Sequence, residues 1–86
     1  MGTSREQISA WFDAGVKQGA AYMIVVCDTW DYTDYPKYVK PNEDVRAEVK
    51  ESTAANMQRV MEVYDLSASK AEQLAENRCF RLPPGP

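Results

Sequence analysis

The chain contains no histidine. That absence removes the commonest general base and the commonest metal ligand, and with them every Ser–His or Cys–His nucleophile arrangement. Cysteine is nearly as scarce: Cys27 and Cys79 are the only two, and two thiols without an imidazole cannot complete a four-ligand structural zinc site. No cluster of lysine and arginine occurs, and thirteen acidic residues against ten basic ones leave a net charge of −3. Duplex nucleic acid is therefore not expected as a ligand, because phosphate neutralisation by a basic face supplies most of that affinity. Long apolar runs are missing too. The longest, residues 20–27, falls far short of the roughly 20 residues that cross a bilayer, so no membrane partner is expected. No charged segment leading into an apolar one opens the sequence, which predicts a cytoplasmic protein with reduced cysteines.

What is present describes a folded domain. Hydrophobic residues make up 44% and charged residues 27% of 86, values that favour a core over disorder. That length fits one domain, read as residues 1–82, with the Pro-rich segment 83–86 as a loose tail. Thr3 and Ser4 each begin a capping box, and Ile8, Phe12 and Val16 recur at helical spacing beyond them. Gly15 within this helix predicts a close approach to another backbone, and Gly19 suits the position just past its end. Residues 20–27, rich in β-branched and aromatic side chains, read as a strand with two apolar faces. One face should take a helix of the same chain, the other a second helix or another subunit. Residues 35–39 read as a second strand, which Pro36 confines to a sheet edge, and the simplest link is a hairpin with its tip near residues 31–34.

Asn42 is placed to cap a further helix, and Val45 and Val49, then Met57, Val60, Met61 and Tyr64, recur at spacings that suit one helical face. This helix either runs from Asn42 to about Asp65 or breaks near Ser52 and Thr53. Ser69 and Glu72 form another capping box, opening a short helix that ends near Asn77, and residues 78–82 alternate as a short final strand would. The expected architecture is α+β, in two layers: a small antiparallel sheet packed with helices in the order α-β-β-α-α, with or without a last short strand.

Residues that could carry function gather around the hairpin. Trp30, Tyr32, Tyr35 and Tyr38 fall within nine residues, interleaved with Asp31, Asp34 and Lys37. Aromatic side chains give large, rigid contact area and flat faces on which nucleobases stack. Alternation along the strand means that some of the four must belong to the core. Lys37, Lys40 and Arg46 are the cations nearest to them, with Arg78 and Arg81 arriving from the C-terminal strand. Asp28, Asp31 and Asp34 recur every third residue, which suits a turn-forming acidic loop better than a calcium loop with its alternate ligands and central glycine. No catalytic residue, metal or cofactor is expected.

Residues 19–36, from Gly19 through Asp28 to Tyr35 and Pro36, together with the segment 56–66, resemble small uncharacterised proteins carried by phages and prophages. The resemblance spans most of the chain and transfers no residue roles. It implies an accessory protein of the host cytoplasm that counters a host defence, either by sequestering its nucleotide signal or by gripping a host protein. In the first reading a homo-oligomer, a dimer or a multiple of one, holds a nucleotide-like ligand through Trp30, Tyr32, Tyr35, Lys37, Lys40 and Arg46. In the second an acidic aromatic hairpin, with Asp28, Asp31, Asp34 and Tyr38, docks on a host protein.

Overall fold

A central strand, apolar on both faces, organises the molecule. The computed structural model describes residues 4–54, 57–76 and 78–82. The elements are α1 (Arg5–Lys17), β1 (Tyr22–Asp28), β2 (Thr33–Val39), α2 (Val45–Ala54), β3 (Gln58–Asp65) and α3 (Lys70–Ala75). The strands form one antiparallel sheet in the order β2-β1-β3, so the class is α+β. Met23 and Val25 of β1 face α1 and α3, where they meet Ile8, Phe12, Tyr64, Leu66 and Cys79. Ile24 and Val26 face the opposite way, into a second cluster with Val39, Val45, Val49 and Val63. Helices therefore cover both sides, giving three layers where two were expected. The two apolar faces of β1 that suggested a homo-oligomer are both buried within the chain itself.

Local chemistry accounts for most boundaries. Ser4 caps α1 by accepting a hydrogen bond from the Gln7 amide at 3.1 Å, while Thr3 lies outside the described residues. The buried positions of α1 are Ile8, Phe12 and Gly15; Val16, expected in the stripe, is half exposed, because Gly15 is the residue that touches the sheet. Gly19 has φ +80°, the left-handed conformation that ends a helix without strain only at glycine. Asp44, rather than Asn42, starts α2: its Oδ1 accepts the amides of Arg46 at 3.0 Å and Ala47 at 3.4 Å. The capping expected at Ser69 is present, with Oγ accepting the Glu72 amide, and α3 stops at Ala75 rather than Asn77, itself outside the described residues. The Pro-rich segment 83–86 also lies outside them.

The main departure is β3. The helix from Asp44 ends at Ala54, close to the expected break, and residues 58–65 are a strand rather than its continuation. The deceptive spacing has a structural cause. The β1–β3 register shifts between Val25 and Val26, which pair with Glu62 and Val60, leaving Met61 as an extra residue in a bulge. Across the bulge, Val60 and Val63 both pack on the α2 side, while Met61 and Tyr64 both pack on the α1 side. A strand with a bulge thus acquires two faces at spacing three, which imitates a helix.

The C-terminal residues follow β3 on its outer side, where the Val63 amide donates to the Cys79 carbonyl and the Arg81 amide to the Val63 carbonyl, both at 2.9 Å. This is a single parallel bridge in place of the expected last strand. Arg78 extends the contact, its Nε donating to the Met61 carbonyl at 2.8 Å. Beneath the segment lies a polar network. Arg5 reaches from α1 to both Glu62 carboxylate oxygens at 3.2 Å and to the Tyr64 hydroxyl at 2.7 Å, and Glu62 Oε2 accepts the Cys79 amide at 2.9 Å.

Burial pushes the Cys79 thiol up to about 11, with Glu76 adding to the shift. A thiol with a raised folded pKa favours the fold fully while the unfolded thiol is still protonated, and loses that contribution as pH climbs to the folded value. Denaturation in urea should therefore show stability falling between about pH 9 and 11, by roughly 2 kcal/mol, with Cys79→Ala flattening the fall. An equally steep fall in the variant would assign it to another group.

Candidate functional site

Turn chemistry, not packing, shapes the end of the sheet where β1 passes into β2. The strands pair as far as Asp28 opposite Thr33, so the tip is residues 29–32, slightly earlier in the chain than expected. Asp28 closes it twice: its carbonyl accepts the Tyr32 amide at 2.7 Å and its Oδ1 accepts the Trp30 amide at 2.9 Å. Asp31 Oδ1 takes the Thr33 amide at 3.1 Å and the Thr33 hydroxyl at 2.7 Å. These two hydrogen bonds hold the Asp31 carboxyl below its ordinary range, so it keeps its charge in mild acid. Two of the three aspartates are thus turn-forming. Among the described residues no three acidic or thiol side chains gather as a metal site.

The tip also leans on the start of β3. The Thr29 amide donates to the Met57 carbonyl at 2.9 Å, which brings Met57 beside the hairpin. Tyr32 and Met57 have φ of 58° and 63°, a region that bulky side chains seldom adopt. Three large apolar side chains stand in solvent here: Trp30 is 76% exposed, Tyr32 68% and Met57 48%. Tyr35 is 36% exposed on the α2 side of the sheet, its hydroxyl accepting a hydrogen bond from Gln58 at 2.7 Å.

The other residues singled out in the sequence lie elsewhere. Tyr38 is half-buried against α1 and donates its hydroxyl proton to the Trp11 carbonyl at 2.7 Å, so it serves the core. Asp34 neighbours the partly buried Cys27, whose thiol is pushed up first by burial and then by that carboxylate. Lys37 is held on α2, 2.9 Å from Glu48 and 3.2 Å from the Ser52 hydroxyl. Lys40 follows the far end of β2, and Arg46 lies in the first turn of α2. A strand rise of roughly 3.3 Å per residue puts Lys40 about 23 Å from Thr33. The aromatics and the last two cations expected to share a nucleotide therefore sit at opposite ends of β2.

Met57 is the member of the cluster that sequence reasoning did not find. It had been placed inside a helix, and its neighbours at the tip come from the pairing of β3 with β1. Compared with known protein families, curated proteins and solved structures, the chain matches none. Among the described residues no helix is long and apolar enough to cross a membrane.

Proposed function

We propose that the protein is a docking module that grips another protein with the tip of its β1–β2 hairpin, without catalysis. The observation behind this reading is the conformation of Tyr32 and Met57. A left-handed backbone costs a bulky residue about 1 kcal/mol, a cost glycine escapes, yet both positions carry large apolar side chains facing solvent. Neither side chain repays that cost through burial in the fold. A role outside the fold explains why they are there.

The hydrogen bonds that brace the tip support the same reading. A surface already held in shape loses little conformational freedom on binding, and Trp and Tyr carry much of the energy at protein interfaces. A host protein is the class of partner that the resemblance to phage accessory proteins suggests. The nucleotide reading would need the tip aromatics and distant Lys40 and Arg46 to meet one small ligand.

Glycine substitution tests the proposal, since it separates stability from binding. Tyr32→Gly and Met57→Gly should each melt at a higher temperature than the parent, by up to about 1 kcal/mol of stability. Combined with Trp30→Ala, they should retain much less of whatever protein the parent captures from cells. A variant that captures as much as the parent would show that docking occurs elsewhere.

A further inference from the structure

Charge at the hairpin tip specifies more than an apolar contact. Between Lys17 and Lys37 the sequence has no lysine or arginine, while Asp28, Asp31 and Asp34 fall in that interval. Lys37 is itself paired with Glu48 on α2. The nearest cation on the adjoining strand is Arg59, which sits opposite Cys27 and acts on that thiol against Asp34. The tip proper, with Trp30, Asp31 and Tyr32 in succession, has its aromatic faces in solvent and a carboxylate between them.

We infer that this tip seats an arginine side chain of the protein partner, one guanidinium stacked on Trp30 or Tyr32 and paired with the Asp31 carboxylate. The inference rests on the docking reading above. Three properties of the site select that group. The π-faces of tryptophan and tyrosine attract cations. A carboxylate makes a strong charge-assisted hydrogen bond to a guanidinium, and Asp31 uses Oδ1 for its two internal contacts, which leaves Oδ2 to accept one incoming N–H. Arginine alone combines a planar stacking surface with charged N–H donors at its edge, whereas the compact ammonium of lysine supplies only the charge. The same carboxylates repel phosphate, which sets nucleic acids and nucleotides against this end of the molecule.

The test uses the intact chain labelled with nitrogen-15 and follows its two indole N–H signals, those of Trp30 and Trp11. A short Gly–Arg repeat peptide is titrated in, beside its citrulline counterpart, which keeps the planar shape but lacks the charge, and a Gly–Lys repeat. The arginine peptide should move the Trp30 signal and leave half-buried Trp11 in place. The citrulline and lysine peptides should each bind about fivefold more weakly, and Asp31→Asn should weaken the arginine peptide by a similar factor. Equal responses to arginine and citrulline would overturn the inference. So would arginine binding, followed by backbone amide signals, that survives Trp30→Ala/Tyr32→Ala, because it would reflect diffuse attraction to an acidic protein. If the peptides fail while the glycine and alanine variants still lose their captured protein, docking stands and only the arginine assignment falls. If the variants also keep that protein, both ideas fall.

Discussion

Gly15→Ala should destabilise the fold by about 2 kcal/mol and lower its melting temperature by about 10 °C. In an exposed helix the same change would be a gain, since alanine is the better helix former by about 1 kcal/mol. Here an added methyl would lie 2.7 Å from Leu66 Cδ1 and 2.7 Å from Tyr38 Cε1, closer than real contacts allow. Neither neighbour can give way easily. The Tyr38 ring is tethered through its hydroxyl to the Trp11 carbonyl, and Leu66 is buried in the same cluster. Overpacking therefore outweighs the gain in propensity. Thermal melting of Gly15→Ala beside Gly15→Ala/Leu66→Val would check the cause, because the smaller side chain should return part of the loss. A Gly15→Ala variant as stable as the parent would show that α1 can move off the sheet at little cost.

Gln73→Leu should be worse, at about 3 kcal/mol, although it replaces a polar side chain with an apolar one of similar length. Gln73 is the fully buried residue of α3, and its amide is used at both ends. Nε2 donates to the Asp65 carbonyl at 2.8 Å and the Ser69 carbonyl at 3.1 Å, while Oε1 accepts the Asp65 amide at 2.7 Å. The Cys79 thiol also donates to Oε1, at 3.6 Å. Leucine would strand the Asp65 amide beneath α3, leaving the Asp65 carbonyl with the Ala68 amide alone, and a buried group left unpaired costs about 1–3 kcal/mol. Amide hydrogen exchange should report this locally: the Asp65 N–H, protected in the parent, should exchange quickly in the variant. Unchanged protection would mean that another group or a water takes over the contact.

These two residues show how unevenly the sequence discloses the structure. Gly15 stood out within an amphipathic helix, but the close approach expected there was to a backbone, and the structure instead brings the Leu66 and Tyr38 side chains against it; nothing in the pattern around Gln73 marked it for burial. Helix α1, strand β1 and the Pro36 strand follow from local signals, namely capping, β-branched runs and the missing proline amide. Strand β3 does not, because its bulge turns a period of two into a spacing of three, and only the partner strand shows where the extra residue goes. The site divides in the same way. Trp30 and Tyr32 were legible as an aromatic cluster beside turn-forming aspartates. Tyr38 could not be told from them, since its role depends on Trp11, twenty-seven positions earlier in the chain. Met57 was hidden for the reason β3 was.

Pro36 has a consequence for the behaviour of the protein in concentrated solution. With β1 in the middle, chain-to-chain growth into filaments could proceed only along β2 or β3. Midway along β2, opposite Val25, Pro36 offers an incoming strand no amide hydrogen. The flank of β3 is already occupied by Cys79 and Arg81, and Arg78 takes the Met61 carbonyl. Polymerisation through the backbone is blocked on one flank by ring closure and on the other by the chain's own end. The tryptophan and tyrosine displayed at the hairpin tip thus meet other molecules through side chains, while the two edges of the sheet are closed to an added strand.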